Sequence, residues 1–157
     1  MSTLKVNALQ NTSGTAYDFV KQVVQVVKTD AFTTGSSSFV DVTGLSVSIT
    51  PSSTSSKILV LANLSIGTGS TSADGQFQLL RGSSNILTNT VLSRGASVSV
   101  IQSFGVSFLD SPSSTSSLTY KVQVVSEGGH DTYINRRNSN PTGPWGISTI
   151  TLLEVAA

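Results

Sequence analysis

Apolar and polar residues alternate along most of this chain. Leu118, Tyr120, Val122 and Val124 share one face of an extended segment, and Thr119, Lys121 and Gln123 share the other. That pattern describes a strand with one side in a core and one in water. The same period of two, carried by β-branched and aromatic residues, predicts strands over 20–28, 45–49, 57–66, 76–80, 85–89, 98–109, 118–126, 132–135 and 147–155. No segment carries a competing helical period. Short strands joined by Ser, Gly, Asp and Pro turns predict an all-β sandwich or barrel. The strand over 57–66 is apolar on both faces, with Leu59 and Leu61 opposing Ile58, Val60 and Leu64. Its outer face is therefore expected to meet another surface, which in a single domain means another subunit.

One hexapeptide occurs twice. PSSTSS fills 51–56 ahead of the strand from Lys57, and again 112–117 ahead of the strand from Leu118. Two readings stay open: equivalent loops at one end of a sandwich, marking duplicated halves, or repeated use of residues that turn easily. Strong strands flank both copies, so they read as loops rather than linkers. The one expected boundary is early. Residues 1–17 are polar and weakly patterned and are read as an N-terminal arm, with a sandwich domain over 18–157. The arm would serve attachment to the particle or to neighbouring copies by pairing its backbone with a sheet edge.

Composition narrows the function classes. The 157 residues fit one domain, and charged residues make up 11% of them, against roughly 25% in an average soluble domain. Ser and Thr take their place, so the surface is mostly hydroxyl. A formal charge of +1 gives no field to steer phosphate backbones or anionic lipid, so nucleic acid is not an expected partner. The absence of cysteine removes disulfides, thiolate metal sites and cysteine nucleophiles. The longest apolar run, 58–62, is far short of a bilayer span, so no membrane insertion is expected. The opening MSTLKV lacks a basic region followed by an apolar stretch, so no secretory signal is expected and the product is read as assembled in the cytoplasm.

Few residues of the chain point to chemistry. The single histidine, His130, precedes Asp131, and adjacent side chains of an extended segment point to opposite faces, which is the wrong geometry for a Ser-His-Asp relay. No nucleophile-elbow pattern surrounds any serine. The carboxylates Asp18, Asp30, Asp41, Asp74, Asp110, Glu127, Asp131 and Glu154 never reach metal-ligand spacing, so no metal and no cofactor are expected. A glycan depolymerase would need two carboxylates facing each other across a cleft, and distant loops could assemble such a pair. Because the acidic residues adjoin turns, where they satisfy backbone donors, the chain is read as no enzyme. The most suggestive surface segment is 130–146. There Tyr133, Asn135, Arg136, Arg137, Asn138 and Trp145 gather planar and amide groups suited to a host surface glycan or another virion protein. The structural alternative has Tyr133 completing a strand, Arg136 pairing with a carboxylate across an interface, and Trp145 filling the base of the sandwich.

The run VVQVVKTDAFTTGSSSFVDVTGLSVSITPSSTSSKILVLANLSIG from Val23 resembles a domain shared by many tailed-phage fibre and virion proteins, especially of phages of cyanobacteria and other aquatic bacteria. The blocks FQLLR from Phe77, FLDSP from Phe108, LTYKV from Leu118, YINR from Tyr133 and ISTITLLE from Ile147 are similar to blocks of that group in the same order. The opening STLKVNALQ from Ser2, followed by TAYD from Thr15, is also similar to the start of such proteins. The resemblance implies an antiparallel jelly-roll sandwich, similar to the trimeric heads of complement C1q and tumour necrosis factor, at an exposed point of the virion. Fibres of the group often carry a long shaft before this domain, and only a short stretch precedes it in this chain.

Three functions follow as expectations. The first is a homotrimeric tail fibre or spike module for host attachment, bound to other phage virion proteins through the arm. The second is a capsid decoration or head-fibre protein, and the third a glycan-cleaving tail enzyme. A three-fold arrangement would bury the second apolar face of strands such as 57–66 and 147–155 around a closed axis.

Overall fold

A computed structural model describes residues 13, 19–71, 75–89, 99–139 and 143–156. The predicted arm over 1–17 lies outside the described residues apart from Ser13, as do Asp18 and Asp74. Ten strands follow one another: β1 (Val20–Lys28), β2 (Phe32–Thr34), β3 (Val40–Ile49), β4 (Lys57–Thr68), β5 (Gly75–Arg81), β6 (Ser84–Asn89), β7 (Gln102–Asp110), β8 (Leu118–Ser126), β9 (Thr132–Ile134) and β10 (Ser148–Val155).

They form two antiparallel sheets. The first runs β1-β10-β4 with β7 on the far edge of β4, and the second runs β3-β8-β5-β6. With the short β2 and β9 set aside, the remaining eight strands follow the order 1-8-3-6 and 2-7-4-5, which is the jelly roll of two Greek keys. The expected fold is thus the observed one. β2 and β9 form an extension: β9 pairs with Ile66, Gly67 and Thr68 of β4, continuing the edge that β10 leaves, and β2 pairs with β9.

Alternation places the core between the sheets. Even-numbered residues of β4 (Ile58, Val60, Leu64, Ile66) and β10 (Ile150, Leu152) meet Phe77 and Leu79 of β5 and Tyr120, Val122 and Val124 of β8, all buried. β3 starts five residues before its predicted beginning, because Val42 and Leu45 both face the core although three residues apart. The register shift between Asp41 and Ser46 absorbs the mismatch, and Gly44 adopts φ 87 inside it. Such a bulge breaks the period of two on which the prediction rested. β2 escaped prediction because Phe32 is its one apolar residue, too little to show alternation.

Two carboxylates tie the sandwich together near its PSSTSS end. Glu154, fully buried, accepts from the Ser52 amide (2.7 Å), the Ser52 hydroxyl (2.6 Å), the Ser56 hydroxyl (2.7 Å) and Gln22 Nε2 (2.7 Å). Asp110 of the first sheet accepts from Tyr120 of the second at 2.6 Å and from Arg81 Nη1 at 2.7 and 2.9 Å. Burial and the Asp110 hydrogen bond push the Tyr120 phenol well above its ordinary value, so it remains a donor.

Candidate functional site

The two sheets present unlike outer faces. On the second sheet, side chains form a hydrogen-bonded chain across four strands. Asp41 of β3 accepts from Gln123 of β8 (2.6 Å), Gln123 from Gln78 of β5 (2.5 Å), and Gln78 from Asn85 of β6 (2.6 Å). Lys121 adds an ion pair to Asp41 at 2.8 Å, and the bonds from Lys121 and Gln123 hold that carboxyl below its usual range.

On the first sheet, odd-numbered residues face outward, and the strand registers set Val23, Leu153, Leu59 and Leu109 side by side in one row across β1, β10, β4 and β7. Val23 and Leu109 are 57% and 56% exposed. The next row reads Gln25, Thr151, Leu61 and Ser107, and the one after it Val27, Thr149, Asn63 and Gly105. None of these twelve residues is charged. A shallow groove runs along the face over Leu61 and Asn63, between Thr149 and Thr151 on one side and Ser103, Gly105 and Ser107 on the other. The expected two-faced character of 57–66 is present, and Val23, Leu109 and Gly105 belong to the same surface. The signal for Val23 and Leu109 lay in the sequence, as apolar residues on the odd face of their strands.

The segment after β9 is built around Asn135. β1 and β10 stop at the same level, where Lys28 pairs with Ser148, and Asn135 fills the break before β2 and β9 resume. It is fully buried at φ 59, in the left-handed region that asparagine tolerates. Its Nδ2 donates to the carbonyls of Lys28 (2.8 Å) and Asp30 (3.0 Å), and its Oδ1 accepts from the Ser148 hydroxyl (2.7 Å). Its amide donates to the Ser65 carbonyl, and its own carbonyl accepts from the Trp145 amide, both at 2.7 Å. Asn135 is therefore spent internally as the pin of this end. Gly67 lies alongside, where a Cβ would run into the Arg136 carbonyl oxygen.

The other residues singled out from the sequence separate into buried and presented groups. Tyr133 is buried, and its hydroxyl donates to Asn138 Oδ1 (2.9 Å) and Asp131 (3.3 Å). Burial and the neighbouring Asp131 charge raise its pKa. Asn138 donates to the Gly69 carbonyl at 3.2 Å. Arg136 stacks on the Tyr133 ring at 4.6 Å and donates to Thr33 Oγ1 at 3.0 Å. Arg137 stacks on the Trp145 ring at 4.5 Å. Trp145 is 52% exposed and lies outside the core cluster, although its amide is tied to the carbonyl of the buried Asn135. Together with Thr29, Pro144, Gly146 and Ile147 it lines a shallow depression. His130 is exposed in a turn that contains Gly128 and Gly129 at positive φ. Among the described residues no three His, Cys, Asp or Glu side chains gather as a metal site.

No protein-family model matches the chain, and no curated protein does. Solved structures of similar fold include the infectious bursal disease virus VP2 subviral particle, at 13% identity and a TM-score of 0.49 over 98% of this chain. The Gt strain of the same virus is similar at 14% identity, with a TM-score of 0.49 over 98% of the chain. This chain covers 42% and 43% of those chains, respectively.

Proposed function

We propose that this chain is a bacteriophage virion structural protein, a homotrimeric tail fibre or spike module exposed on the particle that takes part in host attachment. The observation that carries the reading is the apolar row of Val23, Leu153, Leu59 and Leu109 on the outer face of the first sheet, the first of three rows that hold no charged residue. An exposed apolar band across four strands is costly in water and is relieved by contact with copies of itself. The second sheet has the opposite character, since its side chains already satisfy one another, which suits a face turned to solvent. The similarity of the sequence blocks to tailed-phage fibre proteins supplies the virion setting. In this reading residues 1–17 join the head to other virion proteins, and 18–157 form the head.

Immunogold electron microscopy of intact particles tests the location. Label on the tail or its appendages supports a fibre or spike, label spread over the head makes the chain a capsid decoration protein, and unlabelled particles defeat the virion reading. Light scattering tests the assembly, with three chain masses expected for the wild type. Leu59→Lys puts a charge in the middle of the apolar row without touching the core and should yield folded monomers. A wild-type monomer, or a Leu59→Lys trimer, would refute self-association through this face.

A further inference from the structure

At the end of the first sheet far from the apolar row, two consecutive arginines lie over aromatic rings and form no ion pair among the described residues. Arg136 and Arg137 lie over Tyr133 and Trp145 at 4.6 and 4.5 Å. Arg81, by contrast, is ion-paired to Asp110, its Nη1 within reach of both carboxylate oxygens. Asp131, the carboxylate that touches this cluster, accepts from the Tyr133 hydroxyl rather than from either arginine. Among the described residues Arg137 makes one long contact, 3.5 Å from Nη1 to the Ser99 carbonyl, and its Nε is buried without a hydrogen-bond partner there, as is that of Arg136. A guanidinium carries five donors in a planar fork that matches a carboxylate.

The ground beneath these groups is rigid. Asn135 holds the Trp145 amide, and Gly146 packs against the Ser65 side chain so closely that a Cβ there would come within 2.6 Å of it. The half-exposed indole and Ile147, 56% exposed, border a depression open to solvent. The arrangement offers a flat apolar wall beside a fixed cationic fork. A pyranose ring presents an apolar C–H face, and a sugar acid adds a carboxylate at its rim, so the two halves of the ledge match the two halves of such a ligand. Little ordering is needed on binding, because the side chains are already stacked.

We propose that the ledge formed by Arg136, Arg137, Trp145 and Ile147 binds acidic saccharides, with the ring against Trp145 and Ile147 and the carboxylate on the Arg137 fork. The inference deepens the host-attachment reading by naming the class of receptor, while the chemistry of the ledge stands apart from the trimer. A second copy of this chain is the competing occupant. Packing copies ledge to ledge would oppose arginine to arginine, and the twelve outward residues of the adjoining sheet face offer no carboxylate to relieve them.

Trp145 is the only tryptophan of the chain, so its fluorescence reports on this site alone. Tetragalacturonate, a glucuronate oligomer and a sialylated oligosaccharide are titrated into the full chain, with carboxyl-reduced tetragalacturonate as the control. A saturable emission change is expected with at least one acidic sugar, at least tenfold weaker with the reduced control, and at least tenfold weaker in Arg137→Ala at unchanged circular dichroism. Arg137→Lys, which keeps the charge but loses the fork, should fall between. Three outcomes overturn the proposal: no saturable response to any of the acidic sugars, an equal response to the reduced control, or dissociation of the assembly in Arg137→Ala. The last would assign the ledge to self-contact. Leu59→Lys separates the two proposals, since its monomer retains the ledge and should still bind.

Discussion

Glu154→Gln is the substitution whose effect can be worked furthest from the structure. Burial opposes the charge on Glu154, yet the Ser52, Ser56 and Gln22 hydrogen bonds and the Ser52 amide outweigh it and bring its pKa from 4.5 to about 2. The folded-state value is depressed, so the contribution to stability is complete above the unfolded value and is lost as pH falls through the folded one. At about 1.4 kcal/mol per pH unit, the interval from 4.5 to about 2 corresponds to about 3 kcal/mol at neutral pH, of which less than about 0.5 kcal/mol remains at pH 2. Glutamine has the same shape and can still accept from Ser52 and Ser56, but its amide meets the Gln22 amide donor to donor, and it does not titrate. The variant should therefore be less stable than wild type by about 2–3 kcal/mol at pH 7, shrinking below about 1 kcal/mol at pH 2. Asp30 and Asp41, also held low by their lysine partners, titrate alike in both proteins and cancel in the difference. Urea unfolding followed by circular dichroism, at one protein concentration so that assembly contributes equally, measures it. A stability difference that stays constant from pH 7 to pH 2 would show that the buried carboxylate is not ionised as described.

Two further outcomes follow from the packing. Asn135→Ala strands the Lys28 and Asp30 carbonyls and the Ser148 hydroxyl and should cost about 3–5 kcal/mol by chemical denaturation. Asn135→Gly restores only the backbone freedom and should recover about 1 kcal/mol of that loss. Gly67→Ala drives a Cβ into the Arg136 backbone and should lower stability by about 1–3 kcal/mol and perturb Trp145 emission. Gly105→Ala, whose Cβ meets nothing within 4 Å, should leave the chain's own stability unchanged and alter only self-association, read by light scattering.

The alternating pattern made the sandwich legible, because a period of two survives wherever one face meets the core. It failed at Val42 to Leu45, where a bulge inserts residues that no sequence period marks. The recurrent hexapeptide shows a second limit. Both copies lie at the same end of the sandwich, joining β3 to β4 and β7 to β8, and both make the same local bond, Ser55 amide to Ser53 hydroxyl (3.2 Å) and Ser116 amide to Ser114 hydroxyl (3.0 Å). Local bonds follow local sequence. Tertiary ones do not: Ser56 is buried on Glu154, whereas the corresponding Ser117 is exposed and Ser113 sits at φ 50. Which copy closes over a carboxylate depends on β10, remote in sequence. Among the residues of 130–146, the sequence did not show which are buried and which are presented. Asn135 looks as polar as Asn138, and only the break between β1 and β2 decides that it is buried.

The low charge of the chain gives the two outer faces their division. A protein with abundant charge can keep its copies apart by like-sign repulsion anywhere on its surface. At a net charge of +1 this one has little such repulsion, and each face must be made associative or inert by its own side chains. On the second sheet the relay from Asp41 through Gln123 and Gln78 to Asn85 satisfies donors and acceptors internally, and a partner that displaced it would have to replace each bond. On the first sheet the row through Val23 and Leu109 has no such satisfaction to lose, and water is its least favourable neighbour. Self-association through the first sheet would leave the second sheet facing solvent. The arginine ledge would limit such association at its far end, since closing copies over it would bury guanidinium groups that no ion pair neutralises among the described residues. The apolar row and the ledge thus make opposite demands on the same sheet, and both are met only if contact is concentrated at the PSSTSS end and the ledge stays open.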